Sequence, residues 1–305
     1  MKRFFIKILI FTLLSLIIAI TIEFVVRAAP NPYKYKISLI EKHKKDVQLL
    51  VLGSSTAYNG INPSFFDKKT LNMALGGQGI MIDAFLVNRY LDQMPNLEAI
   101  ILPVDYPTLF KPAVSGFPDG LMSYHIYYGF EPDCFSIDNC FEFFHRKSVR
   151  IKLEKRLRGN TPKLSNSLGF AGSAWVGPLE AEVYIKGMTI EDHTDNQIDK
   201  TIKKDIKALH QIAELSDKAN VKLVIVSMPF HKSFRDLASP TQWSFVHSTI
   251  DSVIKQYNNS LYLNYYYTDF ADTCYFNASH LNIDGAELFS TMLAHDLDSI
   301  DVFQN

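Results

Sequence analysis

Charge of one sign is what this 305-residue chain lacks: 31 Lys and Arg stand against 32 Asp and Glu. That balance argues against a nucleic-acid partner and against a disordered acidic tail. Cysteine is scarce, with only Cys134, Cys140 and Cys274. No CxxC or His-rich spacing marks a zinc site, and no metal or cofactor is expected. Cys134 and Cys140 lie close together in a loop-like stretch and either bridge in an oxidising compartment or remain free thiols. Internal repeats and low-complexity tracts are missing as well. Long uncharged apolar runs are missing except for one, at the N-terminus.

That run is Ile8 to Ile22, preceded by Lys2, Arg3 and Lys7 and closed by Arg27. From Phe4 to Val26 the stretch can cross a bilayer core, which takes about 20 residues. Positive charge ahead of it favours a cytoplasmic N-terminus and a remainder outside the cytoplasm. The reading is a single-pass anchor in the cytoplasmic membrane over residues 1–30. A cleaved signal peptide ending near Ala28-Ala29 and a buried helix are the alternatives. Glu23 then falls near the outer interface.

With 47% hydrophobic and 13% aromatic residues, the rest of the chain has the material for a real core. Asn31–Lys36 reads as a short linker and Ile37–Lys45 as a short helix. Four segments read as strands: Val47–Gly53, Leu97–Asp105, Val221–Pro229 and Leu261–Tyr267. The first three are continuous apolar runs, as in a sheet covered on both faces. Helical patterns over Ile80–Met94, Asn196–Ala219, Ser239–Tyr257 and Asp284–Ile300 alternate with them. Such alternation predicts a mainly parallel α/β sheet over 31–305, with its site at the carboxyl ends of the strands. Residues 110–195 break the pattern. They are aromatic-rich and then basic (Arg146 to Gly159), and read as a helical insertion, a lid or an acceptor-binding surface. The basic run is more often a solvated helix face than a polyanion site.

Two motifs more than 220 residues apart carry chemistry. VQLLVLGSST (Val47 to Thr56) is an apolar strand stopping at small residues, which puts a serine hydroxyl at the crevice and its N–H at a helix start. The plainer reading makes Ser54 and Ser55 helix caps. FNASHLNIDGA (Phe276 to Ala286) holds His280 in a loop before a helix, where it can serve as general base or be an ordinary surface histidine. Between them, LNMALGGQG supplies Asn72, which could brace the serine turn, and the glycines Gly76 and Gly77, whose N–H groups can meet an oxyanion; Asp105 in PVDY lies at the next crevice position.

Together these elements resemble the SGNH/GDSL family of esterases and acyltransferases, over roughly 47–105 and 221–297. The resemblance implies a three-layer, flavodoxin-like fold. Ser55 takes the nucleophile position and Ser54 the place of the preceding Asp. Gly77, with Gly76 as a one-residue alternative, takes the oxyanion glycine's place, and His280 is the base. LGSSTAYNGINP and SHLNIDGA look most like membrane-anchored members that work beside envelope polysaccharide acylation systems. Two departures stand out. Asn277 replaces the acid of Asp-x-x-His, where Asp272 or Asp269 could stand in, and Asp105 occupies the place of an Asn. The implied function is serine-dependent hydrolysis or transfer of acyl groups, acetyl foremost, on an envelope polysaccharide or other acylated glycan. A membrane-bound acyltransferase is the expected partner. The alternatives are a non-catalytic module of an envelope-polymer complex and a chance motif match, which would leave Ser55 and His280 far apart.

Overall fold

The computed structural model describes residues 1–110, 120–131, 137–157, 165–177, 179, 195–300 and 302–303. The chain divides into two compact units, one of residues 1–37 and 118–164, the other of 38–117 and 165–305. Cys134, half of the candidate bridge, lies outside the described residues; Cys140 and Cys274 are free thiols.

The larger unit is built on a five-stranded parallel sheet in the order β2-β1-β3-β4-β5. Its strands are β1 (Leu49–Val51), β2 (Thr70–Asn72), β3 (Ala99–Pro103), β4 (Lys222–Ser227) and β5 (Ser260–Asn264). Leu50 sits between Leu71 and Ile100, and Val224 between Ile101 and Leu261. Every residue of β1, β2 and β3 is buried, as expected for a sheet with helices on both faces. The α/β architecture expected from the alternating pattern is the one observed. β1 has β2 on one side and β3 on the other, so the connections change direction there. That is the switch point of a doubly wound sheet, where crevices open.

Helix Ile80–Tyr90 packs against helix Asp195–Lys218. The latter turns Ala208, Leu209, Ile212 and Ala213 inward at helical spacing, and Asp205 and Ser216 share that buried face. Helix Pro240–Gln256 begins with Ser239 capping the N–H of Gln242 and proline in the first turn. The last helix, Ile283–Ser299, is capped by Asn282, whose Oδ1 accepts from Gly285 N–H (3.0 Å). A β-carbon on Gly285 would lie 2.2 Å from the carbonyl oxygen of Cys274. Glycine therefore lets this helix start press against the short hairpin β6 (Tyr275–Asn277) and β7 (His280–Leu281), which carries the candidate base.

Several segments differ from the sequence reading. Asn31–Lys36 is no linker: a helix runs from Pro32 to His43, started by proline and by Asn31 Oδ1 accepting from Lys34 N–H (2.9 Å). β2, an edge strand, is not among the four segments read as strands. Within the expected helical insertion, residues 165–177 contain no helix. They run along the α/β unit, where Leu168 O accepts from Asn72 N–H (2.9 Å), Tyr58 O from Ala171 N–H (3.1 Å) and Ser173 O from Ile283 N–H (2.8 Å). An edge-strand N–H is thereby covered rather than left open.

The smaller unit contains helix α1 (Lys2–Ala28), one helix long and apolar enough to cross a membrane. Tyr33, Tyr124 and Tyr128 pack edge to face, with centroids 4.9 to 6.3 Å apart. Glu142 is fully buried, paired with Lys152 and accepting from Tyr127 Oη. A basic helix, Arg146–Leu157, follows.

Candidate active site

β1 leads into Gly53, whose φ of +107° is a conformation side chains disfavour. A β-carbon there would come within 3.2 Å of Pro103 Cδ, so the turn lies against the end of β3, at the switch point. Ser54 follows in extended conformation and makes no side-chain cap; its hydroxyl lies 3.4 Å from Thr56 Oγ1. Ser55 opens a short helix (Ser55–Gly60) and is partly exposed.

The turn is braced from below. Asn72 is fully buried; its amide donates to the carbonyls of Ala57 and Ile61 (both 2.9 Å) and accepts from Ala74 N–H (2.9 Å). It ties the short helix to the following loop, its side chain bonded to backbone groups. The following loop runs beside the serine turn, with Met73 N–H donating to Val51 O (2.7 Å) and Leu75 N–H to Gly53 O (3.3 Å). Gly76 and Gly77 lie partly exposed in this loop, and Gly77 has φ +73°. Asp83 ties the two segments together: its Oδ1 accepts from Gly53 N–H (3.0 Å) and from Gln78 Nε2 (2.6 Å).

His280 meets Ser55 across the crevice, with Nε2 2.7 Å from Ser55 Oγ. On its other side, Nδ1 lies 2.9 Å from Asn277 Oδ1 and 2.9 Å from Ser279 Oγ. The protonation pattern follows from one backbone group. Ser279 N–H donates to Asn277 Oδ1 at 2.9 Å, so that amide atom must be oxygen. An oxygen facing Nδ1 requires Nδ1 to carry the proton, which leaves Nε2 as an acceptor aimed at the Ser55 hydroxyl. Flipping the amide would set two donors against each other and orphan the buried Ser279 N–H. An orphaned buried donor costs about 1–3 kcal/mol, roughly five- to 150-fold in population. Ser279 Oγ, donating to Asn277 Oδ1 at 3.1 Å, reinforces the same orientation.

The acids proposed as stand-ins are engaged elsewhere: Asp269 pairs with Arg235 (2.5 Å) and Asp272 with His231 (3.3 Å). Asp105 is fully buried, its Oδ1 accepting from Thr108 Oγ1 (2.9 Å), while Oδ2 has no hydrogen-bond partner among the described residues. Its carboxyl is turned to its own helix, and burial pushes its pKa up to about 6.

Burial also pushes Asp83 up to about 7, against the pull of its bonds to Gln78 and Gly53. Asp205 rises to about 7 through burial first and then the nearby Asp83 carboxyl. Between about pH 4 and pH 7 the folded chain keeps protons on these groups that the unfolded chain has released, so their contribution to stability falls as pH rises. Asp83→Asn keeps an acceptor for Gly53 and Gln78 and removes one such proton. Its thermal midpoint is expected to vary less across that window than the wild type's; an unchanged slope would count against the assignment.

Ser279 and Asp83 escape a reading of sequence alone. Ser279 has a signal, since Asn followed two residues later by an N–H donor is the pattern of an Asx turn. Asp83 has none, being one acid on an otherwise apolar helix face. Trp175, 57% exposed, stands edge-on to Phe276 with ring centroids 5.3 Å apart, and the Phe276 ring lies 6.5 Å from that of His280.

Fold and site define a class: a doubly wound α/β domain with a serine–histidine–asparagine hydrogen-bond chain at its switch point. No protein-family model matches the chain, and no curated protein does. Solved structures resemble it over most of its length at low identity. The psychrotrophic esterase EstA of Pseudoalteromonas sp., inhibited by monoethylphosphonate, is 12% identical, with 84% of this chain and 98% of that one aligned at a TM-score of 0.42. A GDSL-like lipase of Bacteroides thetaiotaomicron is 10% identical, with 88% and 100% aligned at a TM-score of 0.41.

Proposed function

We propose that this chain is a serine-dependent esterase or O-acyltransferase. The observation that carries the reading is the 2.7 Å contact between Ser55 Oγ and His280 Nε2; with the proton on Nδ1, Nε2 is the acceptor. Ser55 Oγ attacks the ester carbonyl as Nε2 takes the hydroxyl proton. The N–H groups of Ser55 and Gly77 receive the oxyanion. Collapse expels the alcohol, which leaves with the proton from His280, and the acyl group rests on Ser55. A second hydroxyl, from water or a sugar, then takes it by the same steps in reverse.

The proposed substrate is an acyl ester, acetyl foremost, of a cell-envelope glycan. The apolar N-terminal helix supports this, read as an anchor that holds the α/β unit on the outer side of the cytoplasmic membrane. Trp175 offers a flat apolar face suited to packing on a sugar ring. A membrane-bound acyltransferase would supply the acyl group in the transfer reaction. The second reading, a non-catalytic module of a polymer-modifying complex, is favoured by Asn277 in place of the acid. The deciding experiment follows acetate release, and transfer between glycan chains, with an O-acetylated polysaccharide. Activity dependent on Ser55 supports the enzyme, and an inert, well-folded wild type supports the module.

A further inference from the structure

Along α1, Phe4 to Glu23 spans about 29 Å at helical rise, which matches a hydrocarbon core of about 30 Å. On the reading of α1 as membrane-spanning, Glu23 therefore lies where hydrocarbon gives way to headgroups. It is not left to solvent there. Its carboxylate accepts from the N–H groups of Glu142 (3.1 Å) and Phe143 (3.0 Å) and from Arg27 Nε (2.5 Å). Arg27 Nη2 in turn donates to the carbonyl of Cys140 (2.6 Å). Residues more than 110 positions away in sequence are thus fixed at the depth of Glu23.

What those bonds hold there is apolar. Ile137 is 61% exposed, Phe141 38% and Phe144 44%. The rings of Phe141, Phe143 and Phe144 cluster with centroids 4.2 to 5.9 Å apart. Exposed aromatics grouped in this way are poorly matched to water and well matched to a bilayer interface. The helix that follows, Arg146–Leu157, carries six Lys or Arg and one Glu. Basic charge immediately beyond an apolar seat is the arrangement that anionic headgroups attract.

We propose that residues 137–157 form an interfacial seat for the anchor. Phe141 and Phe144 enter the bilayer surface at the C-terminal end of α1, and the basic helix lies against anionic lipid headgroups. The proposal rests on α1 spanning the membrane.

The test uses the full-length chain in nanodiscs of phosphatidylcholine with and without phosphatidylglycerol, and carries Phe144→Trp, with Phe141→Trp as a second variant. The wild type supplies the background of Trp175 and Trp243. The added emission is expected to be blue-shifted. It should be quenched more by lipids brominated near the carbonyl end of the acyl chain than by those brominated near its tip, and more strongly with phosphatidylglycerol present. Water-like, unquenched emission from a chain that resists alkaline carbonate extraction would overturn the seat and leave the spanning reading intact. Extraction of the chain by carbonate would overturn both. Quenching indifferent to phosphatidylglycerol would remove the basic helix from the proposal.

Discussion

Ser55→Ala is expected to lower ester turnover by about 10⁴-fold or more, the scale seen when a serine nucleophile is deleted from a hydrolase. The loss should fall on kcat and leave folding untouched, because Ser55 is partly exposed and its Oγ is held by His280 rather than by the core. Ser54→Ala sets the contrast. Among the described residues the Ser54 hydroxyl has only a 3.4 Å approach to Thr56, and it makes no helix cap, so its removal should change turnover little. A Ser54 variant as inactive as the Ser55 variant would show that the turn is read in the wrong register.

The Asn277 series should separate orientation from charge. Asn277→Leu removes the acceptor shared by Ser279 N–H, Ser279 Oγ and His280 Nδ1. The Ser279 hydroxyl, 2.9 Å from Nδ1, can then donate to it as readily as accept from it, and a tautomer with Nε2 protonated cannot accept from Ser55. A fall of about 10³–10⁴-fold is expected, comparable to the loss attributed to the wrong tautomer when the aspartate of a protease triad becomes asparagine. In this chain the asparagine already presents its oxygen. Asn277→Asp should therefore gain only about tenfold or less, through a charge that favours the protonated imidazole. The same charge should move the acid limb of the pH–rate profile to higher pH. A gain near 10⁴ would mean instead that the wild-type amide faces His280 with its nitrogen.

Much of this was legible in the sequence because burial on both faces of a sheet writes itself as unbroken apolar runs. Val47–Gly53, Leu97–Asp105 and Val221–Pro229 each contain a strand, and the four helices predicted to alternate with the strands begin and end within a few residues of those observed. β2 was hidden because Thr70–Asn72 is too short to show a period and sits at the sheet edge. The non-helical course of 165–177 was hidden because hydrogen bonds to Asn72, Tyr58 and Ile283, all distant in sequence, tie it down. At the site, the strand–turn–serine layout and the loop histidine pointed to Ser54, Ser55 and His280; the family resemblance chose Ser55 and brought in Asn277. It left open whether an asparagine could do an acid's orienting work. That answer depends on the N–H of Ser279, a backbone group that only the Asx-turn pattern at Asn277 hints at. Asp105 illustrates the converse: a crevice position by spacing, yet a side chain folded back onto Thr108.

The central claim is that Ser55 is an activated nucleophile, and covalent labelling tests it most directly. The full-length chain would be treated with a fluorophosphonate and the modified peptide mapped by mass spectrometry. One adduct is expected, on Ser55, abolished in Ser55→Ala, much slower in His280→Ala and preserved in Ser54→Ala. A folded wild type that takes no label, or one labelled at Ser54, would contradict it.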